Sequence, residues 1–456
     1  MSASLMSTPS SSHNEKRKAH ALVQSAKFLD DSKGATAARA IYLKIFFGGC
    51  VMILVLIFGI MSIFWGSLWK IPAHNLPGWI VDFDGEIIGK GVSQALSIPS
   101  ALSKVTWMVM PASNFPGGPV EVGAAVLEER TWMAIIINEG STSRLNQSLN
   151  SPNPTYNGSQ AITVFGVEAR NENAYRIILR PTVQATLDAI SRGFANQVAQ
   201  QAANLSNLPA ILATSPQTIT APIAYELVNL APFDIPVATA VTFVGLIYQV
   251  ILSFFIVMIG QAARDSAGLT DGLETGSLIS LRMISSFTAY FFLSLFYCLL
   301  SLAFQLNFSH KFGSSGFLVF WMLNYVGMLA LGLALESLIT LLTVKFIPFF
   351  MLTWIITNVS VCTFPIEVLP NFYRYGYAMP FYNVSRAMRT IVFGTKNRVG
   401  FSFGILVVWI SVSCITLPLI QWLVRRRPQS LPTTFQDDVR EGEEEEYTVA
   451  TKKAVA

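Results

Sequence analysis

The stretch FLVFWMLNYVGMLALGLALESLITLLTVKFIPFFMLTWIITNVSVCT, residues 317–363, decides the fold class. Its charged residues are Glu336 and Lys345, and apart from Asn324 and Asn358 the rest is mostly apolar, aromatic or small. At about 1.5 Å per residue a single helix of this length would far exceed the roughly 30 Å of hydrocarbon in a bilayer. Lys345 followed by Pro348 marks a turn, so the stretch is read as a hairpin of two spans, Phe317 to Leu338 and Phe346 to Thr363.

Working outward, four more segments have the length and apolarity of a span: Ile45 to Trp65, Val237 to Met258, Ser285 to Leu306 and Phe403 to Val424. The whole chain of 456 residues is 52% hydrophobic and 13% charged, with a mean hydropathy of +0.49. Soluble domains rarely show that balance. The expected fold is a membrane protein with six transmembrane α-helices and one large extracytoplasmic α/β domain between the first and second. The expected organisation is a disordered cytoplasmic tail at 1–44, the first span at 45–65 and the α/β domain at 66–236. Spans two to six then occupy 237–424 with an outer hairpin at 364–400, and an acidic cytoplasmic tail follows at 425–456.

Basic residues beside the spans set the orientation. Lys16, Arg17, Lys18, Lys27, Lys33, Arg39 and Lys44 precede the first span, and Arg425, Arg426 and Arg427 follow the last, so both termini are expected in the cytoplasm. One segment opposes this: the last outer loop holds Arg374, Arg386, Arg389, Lys396 and Arg398. The sequons at Asn146, Asn157, Asn204, Asn307 and Asn383 all fall on the expected outer side and are candidate glycosylation sites. In the C-terminal tail, Lys452 and Lys453 stand one residue too far from the end for a dilysine retrieval signal, which favours the plasma membrane over the endoplasmic reticulum. The first forty residues have no apolar core, so the first span is expected to be an uncleaved anchor.

In 66–236, β-branched runs at Ile80 to Asp84, Val105 to Met110, Ala134 to Asn138 and Ala161 to Val164 alternate with helical patterns. The longest helix is expected over Glu172 to Leu205 with a break at Pro181. Such alternation favours a sheet covered by helices. The cysteines, Cys50, Cys298, Cys362 and Cys414, lie in apolar runs, so this domain is expected to fold without disulfides.

No phosphate-binding loop, zinc-protease or serine-hydrolase motif occurs, and neither the cysteines nor the scattered histidines have metal-ligand spacing. No cofactor, metal or enzymatic activity is expected. Basic residues do not interleave with aromatics, so nucleic acid is not an expected partner. Ionisable and amide groups inside spans are the better lead, because their burial in hydrocarbon is costly. Glu336, about 13 Å from the inner end of its span, with Asn324 and Asn358 nearer the outer side, either lines a path or pairs helices. In the loop after the second span, Arg264, Asp265 and Arg282 form a candidate docking segment for a cytoplasmic partner, or a plain connector.

Four stretches carry a family likeness: Trp132 to Asn138, Ala169-Arg170-Asn171-Glu172, Asn229 to Asp234, and Met379-Pro380-Phe381-Tyr382-Asn383 running to Arg389 and Phe393-Gly394-Thr395-Lys396. Through them the chain resembles a fungal family named for nitrosoguanidine resistance. The last loop, with Pro365, Pro370, Pro380, Arg386 and Gly394, is similar to the outer hairpin of permease subunits of ABC-type exporters. That resemblance implies a six-helix half-permease that works as a homodimer among membrane lipids, driven by a separate ATPase subunit. The implied function is tolerance to toxic small molecules, by export or by altered lipid distribution between leaflets. The alternative is a regulator or scaffold whose outer domain binds partners.

Overall fold

The computed structural model describes residues 28–98 and 103–426. The expectations on Lys16, Arg17, Lys18, Lys27, Arg427, Lys452, Lys453 and the acidic tail lie outside the described residues. The chain divides into two compact units, one ending at Ile63 and one beginning at Phe64.

Helix α1 (Lys33–Leu68) supplies the first unit and passes into the second. It starts where the Ser32 hydroxyl accepts a hydrogen bond from the Ala35 amide at 3.3 Å, a side-chain cap that satisfies one of the free N–H groups of a first turn. The Ala-rich run at 35–40 then propagates the helix. Residues 33–44, assigned to a disordered tail from composition, are therefore helical. A π-helical turn interrupts α1 at Leu56–Met61.

In the second unit, strands β1 (Leu76–Asp82), β2 (Val105–Met110), β3 (Met133–Ile137), β4 (Ile162–Gly166) and β5 (Tyr225–Asn229) form one sheet in the order β2-β1-β3-β4-β5. β1 runs parallel to both β2 and β3, β3 is antiparallel to β4, and β4 is parallel to β5. The central strand β3 is buried along its whole length, which explains its unbroken apolar run. Helix α2 (Ile87–Ser97) lies against β1, β2 and β3, while α3 (Pro119–Leu127) lies against β3 and β4. Trp79, Val81, Ala134 and Ile136 alternate with Ile80 and Ile135 and share a core with α3. The central strands β1 and β3 thus bury both faces, while the edge strands β2 and β5 stay partly exposed. Helix α4 (Ser141–Asn150) follows β3, and a π-helical turn at Ala174–Leu179 leads into α5 (Arg180–Ala202). Pro181 does not break that helix: it sits at the start of α5, where its missing N–H costs little.

Among the described residues, five helices are long and apolar enough to cross a membrane: Lys33–Leu68, Ala240–Ser266, Thr275–Ala303, Ser309–Val359 and Val399–Arg425. Within them lie α6 (Gly245–Ser266), α7 (Thr275–Ala303), α8 (Gly316–Val359) and, after the short helix α9 (Pro380–Phe393), α10 (Val399–Arg425). The 44 residues of α8 are broken at Thr343, whose φ of 62° and ψ of 168° are not helical. The chain folds back there. Ser337 donates to the Ser413 carbonyl at 3.3 Å, and the Trp354 ring meets Trp409 at 5.0 Å. Ser337 and Trp354 would stand about 25 Å apart on a straight helix, whereas their partners on α10 are separated by only about 6 Å of rise. The hairpin expected from Lys345 and Pro348 is present, with its break two residues earlier than the lysine.

The segment expected as an outer hairpin, 364–400, is packed against the rest of the fold. Most of α9 is buried, including Pro380, Phe381, Val384, Met388 and Ile391. Pro365 and Pro370 cap short 3-10 turns at Ile366–Val368 and Asn371–Ala378, Pro380 begins α9, and Gly394, with a φ of 69°, ends it in the left-handed conformation that favours glycine.

Candidate functional site

Glu336 on α8 is 2% exposed and meets two arginines. Arg282 Nε of α7 donates to Glu336 Oε1 at 2.6 Å, and Arg264 Nη2 of α6 lies 3.0 Å from the same oxygen. Arg282 Nη1 donates to Thr340 Oγ1 at 2.7 Å and to Gln421 Oε1 of α10 at 2.6 Å, and its Nη2 donates to the Glu336 carbonyl. Arg264 Nη2 also donates to Gln261 Oε1 at 3.0 Å. Four helices therefore converge on one carboxylate and two guanidiniums, leaving one positive charge in excess.

This corrects the reading of Arg264 and Arg282 as an exposed docking segment: they are 6% and 2% exposed. Asp265 is exposed and bonded to Gln261 and Thr270. The structure unites residues that sequence reasoning had kept apart as path and docking candidates. Gln421 and Thr340 were missed. A glutamine four residues before the basic end of an apolar span was the available signal.

The triad opens into a cavity of about 930 Å³ whose lining includes Arg264, Arg282, Thr343, Gln421 and Arg425. Arg425 Nη1 donates to the Leu273 carbonyl at 2.7 Å and its Nη2 to the Thr270 carbonyl at 2.6 Å, tying the loop between α6 and α7 to the end of α10.

Asn324 and Asn358 are not brought to this site. Asn324 Oδ1 accepts from Gln249 Nε2, and its Nδ2 donates to the Phe320 carbonyl at 2.8 Å. Asn358 Oδ1 accepts from the Phe381 amide at 3.1 Å, satisfying a free N–H at the start of α9. Both amides serve helix packing.

The four stretches behind the family likeness converge elsewhere, between the sheet and the bundle. Arg389 Nη1 of α9 donates to the Ala169 carbonyl at 3.0 Å and to Glu172 Oε2 at 2.5 Å. Arg386 pairs with Glu129, and Arg170 lies 3.5 Å over the Trp132 ring while donating to the Thr131 carbonyl at 3.0 Å. Glu168 Oε2 accepts from Asn229 Nδ2 at 2.8 Å and from the Phe233 amide at 3.1 Å, and the Phe233 ring packs at a tilt against Phe393, 4.7 Å between centroids. Burial alone would raise the Glu172 carboxyl, but the charge and hydrogen bond of Arg389 outweigh it and hold Glu172 below its ordinary value. Burial lowers Arg170 to about 10 against the pull of Glu129 and Glu367, and pushes the Tyr382 hydroxyl up to about 12. These pairs account for part of the opposing basic loop, since Arg386 and Arg389 are neutralised by carboxylates of the sheet region. Arg398 lies 4.0 Å from Glu129 as well.

Asn146, Asn157, Asn204 and Asn307 are exposed. Asn383 is corrected as a glycosylation candidate: it is 2% exposed and donates to the Tyr377 and Met379 carbonyls at 3.0 and 2.9 Å.

Fold and site together define a multi-pass α-helical membrane protein with a five-stranded mixed sheet set on its bundle. Residues 49–415 match the family described as "Protein of unknown function (DUF3533)", and the chain belongs to that family. It is similar to the uncharacterized endoplasmic reticulum membrane protein YJR015W of Saccharomyces cerevisiae, at 27% identity over 415 residues, covering 84% of this chain and 80% of that relative. No solved structure matches the chain.

Proposed function

We propose that this chain is half of a permease-like assembly that confers tolerance to toxic small molecules such as nitrosoguanidine, by exporting them or by shifting lipid between leaflets. The observation that carries the reading is the polar cavity of about 930 Å³ at one end of the bundle, floored by a charged triad. Helices that only brace one another gain from close packing, so a vestibule lined with arginines suits cargo better than bracing. The proposed topology has six crossings: α1, α6, α7, the two arms of α8, and α10. Both termini and the cavity then face the cytoplasm, and residues 66–236 and 364–400 lie outside. The proposed assembly is a homodimer, with a separate ATPase subunit supplying energy.

The proposed compartment is the plasma membrane; the yeast relative's name gives the endoplasmic reticulum for that protein. Either membrane puts the sheet on the non-cytoplasmic side, and imaging of a tagged chain distinguishes them. A scaffold reading is favoured by one observation: the void between sheet and α9, lined by Trp132, Arg170 and Arg389, is only about 30 Å³. It holds about one water. Accumulation of nitrosoguanidine and outer-leaflet lipid labelling, measured in cells with and without the gene, test the two. A change in either on deletion supports the permease; no change in both leaves the scaffold. Crosslinking in native membranes should trap pairs, and strictly monomeric chains in cells would overturn the half-permease reading.

A further inference from the structure

The cavity beside the triad has a chemistry of its own. Arg282 spends its donors on Glu336, Thr340 and Gln421. Arg264 does not. Its Nη2 is engaged by Glu336 and Gln261, while its Nε and Nη1 donors have no hydrogen-bond partner among the described residues. Its side chain is only 7% exposed, and it lines the cavity. A buried guanidinium with free donors and an unbalanced charge favours an anion that accepts two hydrogen bonds at once.

A second observation points the same way. The break at Thr343 starts the second arm of α8, and Thr343 and Val344 line the same cavity. The first N–H groups of a helix have no partner within it and carry partial positive charge, so this end of the arm adds donors. Around the break Leu341, Val344 and Phe346 are 49%, 46% and 46% exposed. Apolar side chains of that exposure on a membrane helix face lipid, and Val344 belongs to both surfaces. Acidic groups are few: Asp271 lines the rim and enters no ion pair among the described residues, and Asp265 is held by Gln261 and Thr270.

We infer that this cavity binds the phosphate headgroup of an anionic membrane phospholipid, with Arg264 and the start of the second α8 arm as donors and the acyl chains leaving past Val344. Arg282 and Glu336 position Arg264 and do not touch the phosphate. The inference deepens the permease reading by naming a cargo class; binding stands or falls separately from transport.

The test uses the purified full-length protein in a neutral detergent, with phosphatidic acid, phosphatidylcholine and glycerol 3-phosphate as probes and native mass spectrometry and thermal melting as readouts. Phosphatidic acid should be retained and raise the melting temperature, phosphatidylcholine should not, and Arg264→Gln should weaken retention by about tenfold or more, the scale of a charge-assisted hydrogen bond. Arg264→Lys should restore part of it, because the charge returns without the fork. Should Arg264→Gln fold poorly, Val344→Trp fills the lipid-facing mouth without altering any charge and should also cut retention. Arg426→Gln, outside the cavity lining, should change nothing. Equal retention by wild type, Arg264→Gln and Val344→Trp overturns the proposal. Stabilisation by glycerol 3-phosphate equal to that by phosphatidic acid overturns the lipid source in favour of a soluble phosphate ester. Retained lipid with unchanged leaflet labelling and drug accumulation in cells would sink transport and leave the binding site standing.

Discussion

Replacing Glu336 by glutamine preserves the shape of the triad and removes its only negative charge. Arg264 and Arg282 then share a buried site, at 6% and 2% exposure, with no counter-charge. Breaking a buried pair by deleting one partner costs about 3–5 kcal/mol, most of it from the charge left unpaired. At roughly 2–4 °C per kcal/mol, the melting temperature in detergent should fall by about 6–20 °C. Removing Arg282 as well returns the buried charge to a single cation, so Glu336→Gln with Arg282→Gln should recover a good part of the loss despite forfeiting the Thr340 and Gln421 bonds. Fluorescence-detected melting of the three proteins gives the answer directly. A Glu336→Gln protein that melts within about 1 °C of wild type would refute the account of the triad as an ion cluster short of negative charge. Tolerance is a separate readout: a Glu336→Gln chain present at normal abundance and giving wild-type tolerance removes this residue from any transport step.

The junction should be acid-sensitive. Glu172 has a folded pKa below its unfolded value of about 4.3, so its contribution is present above that value and drains away as pH falls through the lowered one. Proteolysis between sheet and bundle should therefore rise below about pH 4 in wild type and show a flatter pH profile in Glu172→Gln; identical profiles would argue against the Arg389 pair. The proposed topology, with residues 66–236 outside, predicts that glycosidase treatment shifts the chain through the exposed Asn146, Asn157, Asn204 or Asn307, whereas Asn383→Gln should leave the gel pattern unchanged. Protease added to intact wall-less cells should spare tags on both termini, and loss of either tag would reverse the proposed orientation.

Several features were legible because they are local. Hydrophobic runs are set by the cost of leaving a backbone in lipid, and each run declares itself without its neighbours. The strand at Met133–Ile137 was visible because a fully buried strand reads as an apolar run, and the largely exposed Val105–Met110 because its β-branched and aromatic residues favour strands. Strand β5 was not. Tyr225–Asn229 is half-buried, carries Glu226, and pairs with β4 across nearly sixty residues of intervening chain, so nothing within the segment announces a strand. The basic residues of α9 misled for the same reason, because the carboxylates that neutralise Arg386 and Arg389 lie more than two hundred positions away.

Composition and periodicity by themselves determined the membrane class, the hairpin of residues 317–363 and the alternation of strands and helices, all consequences of water and lipid acting on short stretches of chain. Only the tertiary structure decided that Glu336, Arg264 and Arg282 form one buried site and that α9 is packed inside. It also decided that the stretches around Trp132, Ala169, Asn229 and Met379 meet at one junction. Charge pairing and burial depend on distance in space, and distance in space between remote segments is not written in any local pattern.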